Sequence, residues 1–86
     1  MLECVPSKLA AEITAAIEIP TIGIGAGLDC DGQVLVLHDL IGLSIDRIPR
    51  FVRSYADTKG TILDAVTLWR QDVESKRFPA ESETLA

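Results

Sequence analysis

Apolar positions change their spacing several times along this chain, and each change predicts an element. Residues 1–5, Met1-Leu2-Glu3-Cys4-Val5, read as a short strand. Pro6-Ser7 breaks it and opens a helix. Leu9, Ala10, Ile13, Ala16 and Ile17 then recur at three- and four-residue steps, which predicts a helix over 7–17 with one apolar face. Pro20 bars its continuation, and the β-branched run from Thr21 to Gly25 predicts a second strand. Strand, amphipathic helix and strand with short connections are the marks of a parallel βαβ unit.

Beyond it the pattern loosens. Gly25-Ala26-Gly27 and Asp29-Cys30-Asp31-Gly32 predict a loop rich in residues that tolerate positive φ. Residues 33–40 fit a helix of about two turns by length, while their Val-Leu-Val-Leu run fits a strand equally well. Gly42 ends that element. Pro49 suits the first turn of a helix over 49–57, closed by Gly60. Thr61 then caps a longer helix, with Asp64 near its positive end and an apolar stripe of Ile62, Leu63, Val66, Trp69 and Val73. Phe78-Pro79 stops it, leaving 79–86 as a flexible tail. The expected class is therefore α/β, with two parallel strands and three or four helices. Two parallel strands cannot be covered on both faces and both edges by so few helices, so the chain reads as a piece of something larger.

With 86 residues there is room for one domain at most. An apolar fraction of 48% excludes a disordered chain. Net charge is −5, and the eight cations are scattered through the chain rather than clustered, so nucleic acid is not expected as a partner. No apolar run approaches the ~20 residues of a membrane span, and no leader pattern stands at the N-terminus. A soluble, cytoplasmic protein without membrane contacts is expected. Cys4 and Cys30 are too few for a disulfide scaffold, and with His38 they match no zinc spacing.

Candidate chemistry is sparse. Gly23-x-Gly25-x-Gly27 departs from the dinucleotide fingerprint, since Leu28 stands where the third glycine belongs. Glycines at a strand end fit close backbone or ligand approach better. Asp29 and Asp31 suit a bent turn more than a cation site, which needs several convergent oxygens. His38 and Asp39 are sequence neighbours and point to different faces of a helix. Arg47, Arg50 and Arg53 read as a solvated face. Glu3 stands out as an acid inside an apolar strand, near the end at which parallel α/β folds bind ligands. Burial there would suit it to proton abstraction beside a carbonyl; from position alone, a solvated carboxylate is the plainer reading.

The run Ile19-Pro20-Thr21-Ile22-Gly23-Ile24-Gly25-Ala26-Gly27, then Cys30-Asp31-Gly32-Gln33-Val34-Leu35-Val36 and His38-Asp39, closely resembles the ketopantoate hydroxymethyltransferase family. So do Leu2-Glu3-Cys4-Val5-Pro6, Pro49-Arg50-Phe51-Val52 with Tyr55-Ala56, and Phe78-Pro79. The resemblance covers essentially the whole chain in order. It implies the C-terminal third of a (β/α)8 TIM barrel, incomplete as a barrel: strand seven, its helix, strand eight and closing helices. On that scheme 1–86 is a single barrel segment, with the last two strands and their helices in 1–47 and closing helices in 48–78. The implied activity is transfer of a one-carbon unit from 5,10-methylenetetrahydrofolate to 3-methyl-2-oxobutanoate in pantothenate biosynthesis, with Mg2+ holding the keto acid.

Glu3 matches the family's general base, in its Leu-Glu-x-Val-Pro context. The family's metal-binding carboxylates, and the lysine and serine that contact the keto acid, have no counterpart here. Asp29 and Asp31 do not match them, so no metal ligand is expected in this chain. The tail also departs from the family in lacking a histidine after Phe78-Pro79. The implied partners are the remainder of the barrel and homo-oligomer neighbours. The chain alone is expected to be inactive; a split barrel and a non-catalytic oligomerisation module are the alternative readings.

Overall fold

A computed structural model describes residues 1–85. The last residue of the expected flexible tail, Ala86, lies outside them. β1 (Leu2–Glu3), α1 (Ser7–Ala16) and β2 (Ile22–Ile24) form the anticipated βαβ unit, with strands shorter than their apolar runs. Pro6 sets the entry to α1, and its carbonyl accepts from the Ala10 N–H at 2.9 Å. Ala10 is fully buried and packs with Ala26 and Cys30 from the loop after β2, while Leu2 and Val5 close the edge of this cluster. The strands run parallel, Leu2 opposite Gly23 and Glu3 opposite Ile24.

The sheet has three strands, not the two expected. β3 (Gly32–Gln33) lies parallel to β2, with Ile22 opposite Gly32 and Gly23 opposite Gln33, in the order β1-β2-β3. The helix considered for residues 33–40 contracts to one turn, α2 (Leu37–Leu40). Backbone pairing explains the change. Gly32 N–H donates to Thr21 O and Val34 N–H to Gly23 O, both at 3.0 Å, so residues 32–34 are held extended against β2 and the helix can begin only after Val36. Parallel neighbours are usually joined by a dozen residues or more. Here residues 25–31 alone make the return, and a polar clamp holds it. Asp31 Oδ2 accepts from the Thr21 N–H at 2.8 Å and the Thr21 hydroxyl at 3.2 Å, and Thr14 Oγ1 lies 2.9 Å from Thr21 Oγ1. The clamp satisfies a threonine that is only 3% exposed.

The helix expected over 49–57 is absent. One turn forms where Val52 N–H donates to Pro49 O, and then the segment runs extended along the end of α2. Tyr55 N–H donates to Leu40 O at 2.7 Å, and the Ser54 hydroxyl to Asp39 O at 3.0 Å. Thr58 N–H donates to Ile41 O at 3.0 Å. These non-local acceptors displace the i→i−4 pattern, and tertiary pairing overrides propensity.

The long helix α3 (Thr58–Glu74) starts three residues before Thr61 because Asp57 is its cap, accepting from the Gly60 N–H at 3.1 Å. A Cβ at position 60 would run into the Asp57 carboxylate, so glycine there permits the cap. From residue 61 to residue 85 every side chain except Asp72 is exposed. Trp69 is 54% exposed, and its one aromatic neighbour is Phe78, edge-on at 6.4 Å between ring centroids. Within the tail, residues Glu81–Glu83 make a 3-10 turn closed by the Ala80 N–H on Glu83 Oε2.

The molecule measures 70 × 25 × 14 Å, with a radius of gyration of 21.9 Å. A compact domain of this length would have about 12 Å. Its accessible surface is 7125 Å², against about 5,000 Å² for a compact monomer of this mass. If half of the difference is apolar, burying it would contribute roughly 25 kcal/mol, more than the whole stability of an ordinary domain. No helix among the described residues is long and apolar enough to cross a membrane.

Candidate active site

The register of the sheet decides where Glu3 points. Leu2 packs toward α1 with the Ala10 cluster, and successive residues of a strand face opposite ways. Glu3 therefore stands on the uncovered face, sharing it with its partner Ile24 and, one alternation back, Ile22. Both Glu3 and Ile22 are exposed there. Burial of the carboxylate, entertained on sequence grounds, is absent: Glu3 is exposed among the described residues. Directly after Glu3, Cys4 adopts φ 53°, a left-handed conformation unusual for a residue with a side chain. Its N–H donates to Ile24 O at 2.9 Å, which fixes the end of β1. Backbone held this way beside a carboxylate is a common companion of functional sites.

The glycine-rich loop after β2 lies at the same end of the sheet. Gly25 takes φ 64°, and a Cβ on it would lie 2.7 Å from Phe51 Cδ1, so glycine lets the phenyl ring rest on the backbone. That contact opens one wall of a groove of about 690 Å³. Its floor is Ile24, Gly25 and Val34 at the C-terminal ends of β2 and β3, and Phe51, Arg53 and Tyr55 rise beside it. Arg53 Nη1 lies 3.2 Å from the Tyr55 hydroxyl, which accepts from it, and the guanidinium sits 5.9 Å from the ring centroid.

The other residues singled out in the sequence are not brought together. Asp31 is engaged by Thr21, and Asp29 is exposed. Cys30 is buried in the small core, whereas Cys4 is exposed; both are free thiols. Asp39 Oδ1 accepts from the Ser44 hydroxyl at 2.6 Å, and His38 is exposed on α2. Among the described residues, no three His, Cys, Asp or Glu side chains converge as a metal site would require. Arg47, Arg50 and Arg53 are all exposed, as expected, and Arg53 also lines the groove. The groove was missed because Pro49 and Gly60 were read as the start and the end of a helix over 49–57.

A family model described as ketopantoate hydroxymethyltransferase matches residues 1–81. The chain belongs to the ketopantoate hydroxymethyltransferase family. Relatives named 3-methyl-2-oxobutanoate hydroxymethyltransferase agree with it along almost its whole length. The protein from Bdellovibrio bacteriovorus is 58% identical over 84 residues, which are 98% of this chain and 32% of the relative. Those of Chlorobium phaeobacteroides and Salinibacter ruber are 57% and 56% identical, over 98% of this chain and 30% and 32% of theirs. The chain thus spans about a third of the length of the curated relatives it matches. Within this ketopantoate hydroxymethyltransferase segment, Glu3, Cys4 and the Phe51 groove all lie at the C-terminal ends of parallel strands.

Proposed function

We propose that these residues are the C-terminal third of a (β/α)8 barrel, and that the assembled barrel forms ketopantoate from 3-methyl-2-oxobutanoate and 5,10-methylenetetrahydrofolate. β1 and β2, parallel and joined by α1, fit strands seven and eight, while β3 follows β2 with no helix between them and adds a short edge beyond the repeat. The observation that carries the functional reading is Glu3 at the C-terminal end of β1, on the face opposite α1. In a closed barrel that face is the interior, and catalytic groups cluster at that end.

Glu3 acts as the general base. Water hydrolyses the methylene bridge of the co-substrate, breaking both C–N bonds and releasing tetrahydrofolate, with the water oxygen kept on the one-carbon unit at the formaldehyde level. The Glu3 carboxylate takes the proton from C3 of the keto acid, the enolate carbon adds to that carbonyl carbon, and the alkoxide formed takes back the proton from Glu3. A divalent cation would polarise the keto group and favour the enolate. The residues present do not fit such an ion: Asp31 is bound to Thr21, and no acidic cluster converges among the described residues. No step is assigned to a metal held by this chain.

A second reading, a split barrel completed by another polypeptide, draws on the uncovered sheet face and the excess surface. A bare oligomerisation module draws on the apolar stripe of α3 alone. Both the intact and the split barrel place Glu3 in the site. The test is proton exchange at C3, followed by NMR in deuterated water, in the assembly that contains these residues. Glu3→Gln is expected to slow exchange by about 10²–10⁴-fold, the usual contribution of a positioned base. Unchanged exchange in Glu3→Gln would remove the base from this residue.

A further inference from the structure

We infer that the groove beside β2 and β3 receives the folate co-substrate, with Phe51 and Tyr55 flanking its flat ring system and Arg53 meeting its glutamate carboxylates. The inference rests on the transferase reading above and adds the residues that would distinguish this co-substrate. A donor of a one-carbon unit must bring that carbon against the enolate that Glu3 generates. Glu3 is paired with Ile24, and Ile24 is part of the groove floor, so the groove adjoins the base across one strand spacing. Its volume of about 690 Å³ lies in the usual range for sites that enclose small organic ligands, ~300–1,000 Å³.

The chemistry of the walls narrows the occupant further. Two aromatic rings, Phe51 and Tyr55, line the groove and present faces and edges suited to a planar heterocycle. Gly25 allows Phe51 to lie directly on the backbone, which sets that ring in place. Charge points the same way. The chain carries −5 overall, so an anionic tail is repelled by most of its surface. Arg53 is the cation of the groove, and its recorded contacts are with Tyr55 rather than with a carboxylate. It can form the forked hydrogen bonds that arginine makes to carboxylates.

The experiment uses the assembled enzyme and two co-substrates, 5,10-methylenetetrahydrofolate and 5,10-methylenetetrahydropteroate, which lacks the glutamate. For the unsubstituted protein the KM of the pteroate is expected to exceed that of the folate by about tenfold, as for one charge-assisted hydrogen-bonded contact. In Arg53→Gln the two values should converge, and Arg53→Lys should restore part of the difference. Equal KM values in the unsubstituted protein overturn the inference without any variant, as does a preference that survives Arg53→Gln. Folate-independent exchange at C3 in the unsubstituted protein is measured alongside. Its absence would sink the transferase reading itself, a failure distinct from loss of co-substrate preference.

Discussion

Residues 1–34 and 58–85 of this chain solve opposite problems. In the first region, α1 covers one face of the sheet, and Ala10, Thr21, Ala26 and Cys30 lose nearly all their exposure. In the second, α3 is a well-capped helix whose Ile62, Val66, Trp69 and Val73 remain open to solvent. The first region is the richer in apolar residues, 18 of 34 against 10 of 28, yet α3 still carries a full apolar stripe. What separates them is whether the covering element lies within these 86 residues. A helix can satisfy its backbone alone, whereas an apolar stripe needs a neighbour. The relatives are about three times longer, which is the natural source of that neighbour.

Several substitutions would break or sharpen this contrast, and the largest effects belong to the first region. Gly25→Val forces a β-branched residue into φ 64° and drives its Cβ into Phe51. It is expected to cost about 3 kcal/mol of stability, read from the urea midpoint of the assembled protein. Asp31→Ala leaves the buried Thr21 N–H without its acceptor and should cost about 2 kcal/mol in the same measurement. Asp57→Ala removes the cap of α3, an effect of about 1 kcal/mol. Faster hydrogen exchange at Gly60 and Thr61 than in the unsubstituted protein would register it. Val66→Gln is the smallest change: within about 0.5 kcal/mol in the isolated chain, where the side chain is open. In the assembled barrel a loss of about 1.5 kcal/mol or more is expected if a neighbour covers the stripe. An equally small effect in both states would place the stripe on an outer surface and weaken the contrast.

Legibility in the sequence follows the same division. The βαβ unit could be read because periods of two and 3.6 residues alternate between prolines, and local rules suffice there. β3 could not, since two residues carry no period and their partners lie on another strand. The expected helix over 49–57 failed for a related reason: the carbonyls of Asp39, Leu40 and Ile41 lie far back in sequence yet capture its donors. Asp57 was overlooked as the cap because Thr61 opens the visible apolar stripe, and glycine at position 60 seemed a terminator rather than part of the first turn. Glu3 was legible as an acid within an apolar strand. Its exposure matches the plainer reading from position alone, a solvated carboxylate near the N-terminus.

The short return between β2 and β3 also orders events in time. Thr21 and Asp31 are ten residues apart, whereas Leu2 must find Gly23 across the whole of α1. A loop of ten residues closes in about 10–100 ns, and longer closures cost more entropy. The expected sequence therefore zips β2 to β3 first and docks β1 last. Folding-rate measurements on substitutions would show it as φ-values near one at Asp31 and near zero at Leu2, the reverse values refuting it. On this order the strand that carries Glu3 is the final one placed, and its carboxylate arrives only after its neighbours stand in register.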